Sequence, residues 1–180
     1  MKNLILAILV LFCLSFTKDE AKKLTKTGSI TFEASVPSFE EVKGKNDAVT
    51  CVLNTTNGEI AALALMKGFR FKVALMEEHF NENYMESSKY PKATFKGKIE
   101  NFDVSKLTTT TKDYTIKGKL ELHGKSKDIV SIAKINKSGN DIELKTSFSV
   151  NVSDFGIEIP SVVAKKVAKK VDVDCNFLLK

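Results

Sequence analysis

Met76-Glu77-Glu78-His79-Phe80-Asn81-Glu82-Asn83-Tyr84-Met85-Glu86-Ser87-Ser88-Lys89-Tyr90-Pro91-Lys92-Ala93-Thr94-Phe95 is the stretch whose reading decides the fold. Most of the chain alternates apolar and polar residues, the period of a β-strand. Here the period lengthens. Met76, Phe80 and Tyr84 are spaced i, i+4, i+8, on one side of a helix, and His79 and Asn83 keep the same spacing on the adjacent flank. Tyr90-Pro91 is expected to stop this helix, because a residue before proline is pushed out of the α region. Ala93, Phe95 and Ile99 then resume the two-residue beat. One short amphipathic helix thus interrupts a β chain, and its apolar face must lie on a sheet or across the mouth of a barrel.

Outward from that stretch the pattern is of strands. Thr27 to Val36 alternates, with Ile30, Phe32, Ala34 and Val36 on one face. Val49 to Asn54 is a second strand, and Asn57-Gly58 is a hairpin turn whose residues tolerate positive φ. Ile60 to Met66 is apolar on both parities, as for a strand covered on both faces, and Phe69, Phe71 and Val73 follow with Arg70 and Lys72 outward. Beyond the helix, Phe95 to Glu100 returns, and Asn101 to Lys112 is a Thr-rich crossing. Asp113 to His123 alternates most cleanly, with Tyr114, Ile116, Gly118, Leu120 and Leu122 on one side. Asp128 to Ile135, Ile142 to Val150 and Val171 to Leu179 complete the set. Asp154 to Pro160 reads as a loop carrying two exposed apolar residues, and Ser161 to Lys170 as room for a short second helix after Pro160. About eight strands joined by short turns predict an antiparallel sandwich or up-and-down barrel, a size at which a barrel interior is either filled or holds one small ligand.

The 180 residues are enough for one domain with a core. Residues 1–17 read as an export signal: Lys2, then an apolar run from Leu4 to Leu14 too short to span a bilayer, then polar Lys18-Asp19-Glu20. Bulky Phe12 argues against lipid attachment at Cys13. Residues 18–26 read as a linker and 27–180 as the domain, in the periplasm or outside the cell, with no membrane-spanning segment expected. The net charge is +6, yet the chain has one arginine, Arg70, and its phenylalanines fall on the apolar parity, so a nucleic-acid partner is not expected. Cys51 and Cys175 also lie on the apolar parity; they either pair in an oxidising compartment or remain two buried thiols, the latter being favoured. A homodimer is left open.

Chemistry finds little support. His79 beside Glu78 could act as an acid or base, which frames an isomerase or lyase as one reading, but no motif places a nucleophile beside it. Glu78, His79 and Glu82 are the one local set of metal-ligand types, and a solvated helix face accounts for them equally well. No cofactor and no enzyme activity are expected. Apolar capacity is more informative. The inward sets carry Phe32, Phe69, Phe71, Phe95, Tyr114, Phe148 and Phe177, and a helix whose Met76, Phe80 and Tyr84 need a cover. These either pack a solid core, as in a structural or stress-related exported protein without ligand, or line an elongated cavity. Lys165, Lys166, Lys169 and Lys170 make either a solvated face or a mouth for an anionic headgroup.

Three blocks add a resemblance. Met76 to Met85 with Tyr90-Pro91-Lys92-Ala93-Thr94-Phe95, then Gly118-Lys119-Leu120-Glu121-Leu122-His123-Gly124-Lys125-Ser126-Lys127, then Phe155-Gly156-Ile157, occur in the order found in the YceI-like family, which residues 27–180 resemble. The resemblance implies an all-β, antiparallel eight-stranded lipocalin-like barrel with one or two short helices. It also implies an exported protein that holds a polyisoprenoid or other long-chain amphiphile in an apolar channel, without chemistry on it. The side chains expected to line that channel are Phe32, Phe69, Phe71, Met76, His79, Phe80, Tyr84, Phe95, Tyr114, Ile116, Leu120 and Phe148.

Overall fold

Nine strands form in a computed structural model that describes residues 21–37 and 39–180. They are β1 (Lys22–Ser35), β2 (Lys43–Asn54), β3 (Glu59–Leu65), β4 (Arg70–Phe71), β5 (Lys92–Ile99), β6 (Lys112–Leu122), β7 (Lys125–Ser138), β8 (Asp141–Asn151) and β9 (Val167–Leu179). Eight of them close a barrel in the order β1-β2-β3-β5-β6-β7-β8-β9, with β9 returning to β1, and every pairing is antiparallel. β4 adds two residues to the edge of β2, Gly44 opposite Phe71 and Lys45 opposite Arg70. The expected export signal, Cys13 included, lies outside the described residues. β1 begins at Lys22, so the strand reaches into the stretch expected to be a linker.

Alternation sets which side chains enter the barrel. On β8, Ile142 and Leu144 are buried while Lys145 and Ser147 are exposed. The same beat places Val49, Cys51 and Leu53 of β2 and Cys175, Phe177 and Leu179 of β9 in the interior. Gly97 and Gly118 stand opposite one another on β5 and β6. A Cβ on either would fall within 2.8 Å of the Phe95 ring, which therefore lies flat across the pair inside the barrel.

The departure from simple hairpins lies between β3 and β5. A 3-10 turn (Met66–Gly68), β4, helix α1 (Ala74–His79) and a π-helical turn (Phe80–Tyr84) fill it. Asn46, buried inside β2, donates from Nδ2 to the Leu65 carbonyl at 3.0 Å and accepts from the Ala48 amide at 2.9 Å, fixing where the excursion leaves the barrel. Glu77 ties the helix to β4: its carboxylate accepts from Arg70 Nη1 at 2.9 Å and from the Phe71 amide at 3.2 Å.

Four expectations are corrected. Tyr90-Pro91 does not end the helix. It ends six residues earlier through its own backbone: the Met85 amide donates to the Phe80 carbonyl, Glu86 turns left-handed at φ 44°, and the Ser87 amide donates back to the Asn81 carbonyl at 2.8 Å. No second helix forms over Ser161 to Lys170; isolated turns occupy Ser161 to Lys166, and β9 takes the chain from Val167 because its backbone pairs with β1 and β8. β3 is not covered on both faces, since Leu65 is 55% exposed on the outside and the helix lies over the barrel end instead. Phe155 and Ile157 are buried, not exposed.

That last correction has a structural cause. The β7–β8 ladder runs only from Ser138/Asp141 to Ile132/Ser147. Beyond it, β7 pairs with β6 alone and β8 with β9 alone. The segment after β8, a 3-10 turn (Val152–Phe155) closing on left-handed Gly156, packs into this gap. Phe155 is 1% exposed there. Lys127 Nζ lies 3.7 Å from the Asp154 carboxylate across the gap.

Candidate functional site

A cavity of about 440 Å³ opens at the end of the barrel that α1 overlies. Its far wall is the packed interior described above. The opening is built by the connection after β1, by α1 with its π turn, and by the turn before β9, which supply Phe39, Met76 and Val163. Glu40, His79 and Lys166 are the only charged or imidazole side chains that line it among the described residues, and all three are exposed. The remainder of the lining is apolar but for the Tyr84 hydroxyl, the character of a site that holds hydrocarbon.

Phe80 organises the opening. Its ring stacks on Phe32 at 5.2 Å between centroids and tilts against Phe71 at 5.1 Å and Phe69 at 5.6 Å. Phe32 also meets Phe69 at 5.4 Å and Phe71 edge-on at 5.7 Å. Four rings from β1, the β3–β4 connection, β4 and the helix thus make one wall. Helix propensity does not hold α1 in place, since it is under two turns long and none of its residues is fully buried. The Phe80 contacts and the Glu77 clamp do.

A second cavity of about 80 Å³ lies deeper. It shares Ile30, Ala64, Ala93, Leu120 and Phe148 with the first, so the two cavities adjoin at these five side chains.

Eleven of the twelve expected lining residues border one cavity or the other. Phe32, Phe69, Phe71, Met76, His79, Phe80 and Tyr84 line the large one, Phe95 and Ile116 the small one, and Leu120 and Phe148 both. Tyr114 is the exception. Its inward parity is as expected, but it lies at the opposite end of the barrel, where its ring meets Phe102 edge-on at 6.0 Å. Parity fixes the face of a strand and not the height along it, so period alone does not separate the two ends. His79 is at the rim and exposed, and exposed Glu78 does not line the cavity. The pair needed for the isomerase reading is therefore not assembled inside. No cluster of three His, Cys, Asp or Glu able to hold a metal occurs among the described residues.

Among the lining residues that sequence reasoning missed are Phe39, Val152, Phe155 and Ile157. They lie outside regular strands, where alternation carries no information. A block match already containing Phe155-Gly156-Ile157 was the available signal. His123, expected at a surface turn, does adopt the turn (φ 51°), but its side chain is only 11% exposed. Nδ1 donates to the Phe155 carbonyl at 3.1 Å, Nε2 lies 3.0 Å from the Glu86 carboxylate, and the Tyr90 ring packs edge-on at 4.4 Å. One imidazole thereby ties the end of the helical excursion to the segment filling the β7–β8 gap.

Cys51 and Cys175 are free thiols, both buried. Burial pushes each up to about 12; the neighbouring Cys175 adds to the effect on Cys51, and Asp174 adds to that on Cys175.

A closed eight-stranded antiparallel barrel, solid at one end and hollow and apolar at the other, is a lipocalin-like barrel. The YceI-like domain matches residues 23–179, and the chain belongs to that family. Solved structures agree in fold. A polyisoprenoid-binding domain of Saccharophagus degradans implicated in plant cell wall breakdown superposes with a TM-score of 0.77 at 16% identity, over 89% of this chain and 98% of that one. BcnA of Burkholderia cenocepacia gives 0.69 at 15% identity, over 84% and 96%. The YCEI protein of Campylobacter jejuni gives 0.60 at 18%, over 81% and 89%. No curated protein matches the sequence.

Proposed function

We propose that this protein binds an isoprenoid or similar long-chain amphiphile, with its apolar chain inside the barrel, as a carrier or store and without chemistry on it. The carrying observation is the 440 Å³ cavity lined almost wholly by hydrocarbon and aromatic side chains, with its few ionisable groups confined to the rim. Affinity then comes from apolar area removed from water, at about 25 cal/mol per Å² before ordering costs. Membership of the YceI-like family and the likeness to a polyisoprenoid-binding domain support this reading. An interior of this size also weighs against the ligand-free structural reading, since protein cores rarely leave such voids. We read residues 1–17 as the export signal, which sets the protein to work in the periplasm or outside the cell; N-terminal sequencing of the mature chain checks this.

Native mass spectrometry of protein purified from a membrane-containing host tests the binding. The expected result is an adduct of lipid mass that a fluorescent prenyl probe displaces. A clean apo mass together with no uptake of the probe removes the proposal.

A further inference from the structure

We infer that the lip formed by residues 161–171, the turns before β9 and its first residues, docks this protein onto an anionic phospholipid bilayer, with the mouth of the cavity against the membrane. The docking itself stands on the charge and exposure of that lip. Its use, passing an amphiphile between bilayer and cavity, rests on the lipid-binding reading above.

Charge on the outer wall of the barrel is balanced in pairs. Lys117 lies 2.7 Å from Glu100, Lys119 2.9 Å from Asp128, Lys134 3.2 Å from Asp113, and Lys145 pairs with Glu143. The lip differs. Its sequence, Ser161-Val162-Val163-Ala164-Lys165-Lys166-Val167-Ala168-Lys169-Lys170-Val171, carries four lysines and no acid. All four are exposed, and none takes part in an ion pair among the described residues. Counting exposed Glu40 on the cavity rim and exposed Glu158 just ahead of the lip against them leaves a surplus of two positive charges, 4 − 2.

Apolar side chains stand out beside these lysines. Val162 is 84% exposed, the most exposed large hydrophobic among the described residues. Phe39, also exposed, belongs to the connection that leaves β1 just past Ser35, and Ser35 pairs with Val167 of the lip. Phe39, Val163, Lys166, Val167 and Ala168 line the cavity too, so the lip and the opening are one surface. At a bilayer, Val162 and Phe39 enter the headgroup boundary, the lysine stems lie along it, and the ammonium groups meet lipid phosphates. The excursion bearing α1 is rooted between β3 and β5, four strands from β8 and β9 in the ring of eight. It presents exposed Glu78 and Glu82, so that side is held off an anionic surface. The barrel therefore meets the bilayer lysine lip first.

Vesicle flotation supplies the test, on mature protein whose N-terminus is verified by sequencing. Vesicles of phosphatidylcholine alone are compared with vesicles holding about 30% phosphatidylglycerol, at about 0.1 M and about 0.5 M salt. The protein is expected to float with the anionic vesicles at the lower salt only, at least about tenfold above the neutral ones. Replacing the four lip lysines together (Lys165→Gln, Lys166→Gln, Lys169→Gln and Lys170→Gln) should reduce that partitioning by at least about tenfold. Lys117→Gln, Lys119→Gln, Lys134→Gln and Lys145→Gln together remove the same charge from the wall and should reduce it by less than about threefold. Val162→Asp, at a site too exposed to disturb the fold, should lower it by about threefold or more. Equal partitioning on neutral vesicles, or equal losses from the wall and lip variants, overturns the docking. So does a protein that takes up the fluorescent prenyl probe from solution yet does not float, which leaves lipid binding intact. Flotation without any probe uptake upholds the docking and removes the lipid-binding reading.

Discussion

The two ends of this barrel obey one rule and come to opposite results. On β8, Ile142 and Leu144 at one end and Phe148 and Val150 at the other all share the inward parity. Ile142 is sealed at 1% exposure and Leu144 reaches only the small inner cavity, whereas Phe148 and Val150 border the large open one. At the packed end the inward residues are chiefly branched aliphatics, which interdigitate from facing strands without gaps. At the open end phenylalanines join the aliphatics, and Phe32, Phe69, Phe71 and Phe80 lean on one another along one wall. The helix belongs to the second end only. The four rings pack along the wall of this hollow rather than across it.

The largest expected effect sets the ends against each other with one substitution. Leu53→Ala should cost about 2–5 kcal/mol of stability, because Leu53 is fully buried, borders neither cavity, and its surroundings collapse incompletely. Leu122→Ala, at the wall of the cavity, should cost about 1 kcal/mol or less, since its neighbours already face a void. Urea denaturation of both variants checks this, and equal losses would mean that the open end is packed as tightly as the other.

Next in size is the lid. Phe80→Asp should weaken uptake of a fluorescent prenyl probe by roughly 10- to 100-fold, the worth of one buried aromatic ring. His79→Ala, at the exposed rim, should change it by less than about twofold. The reverse ranking in the same titration would return the histidine to the centre of the site. A smaller signal comes from the thiols. With both held at about 12, only roughly one in ten thousand is thiolate at pH 8, so Cys51 and Cys175 should resist a thiol reagent until the protein unfolds. Because burial raises both above their unfolded values, their contribution to stability is full below about pH 8.5 and declines as the pH rises toward 12.

The smallest effect sits at the packed end. Asp103 accepts from the Ser105 amide at 3.0 Å and hydroxyl at 2.6 Å with Lys106 beside it, and these hold its carboxyl below the usual range. A depressed carboxyl contributes stability above the ordinary carboxylate range and loses it as the pH falls. Asp103→Asn should therefore flatten the acid limb of the stability profile slightly and leave probe binding unchanged.

Much of this was legible in the residues. Alternation located the inward faces, and the i, i+4, i+8 spacing of Met76, Phe80 and Tyr84 located the helix and its apolar side. Illegible were the features that depend on pairing between distant strands. The height of Tyr114 in the barrel follows from the register of β6 against β5 and β7, which no local period encodes. The burial of Phe155 follows from the early end of the β7–β8 ladder, an event between two strands seen from neither alone. The end of the helix was misread for a different reason: Pro91 is a visible breaker, but the backbone had already turned at Glu86, a residue with no sequence mark of left-handedness.

The parting of β7 from β8 matters beyond the cavity. Where two strands separate, each presents a row of amides and carbonyls able to recruit a strand from another molecule. Val130 and Ile132, exposed on the outer face of β7 beside that opening, would make such recruitment favourable. The segment from Val152 to Ile157 shields the opening, fastened by His123 and by the Lys127–Asp154 contact. Seen this way, the fastening guards against self-association: loosening it would expose a sticky edge and draw the protein toward aggregates, whatever it did to the ligand.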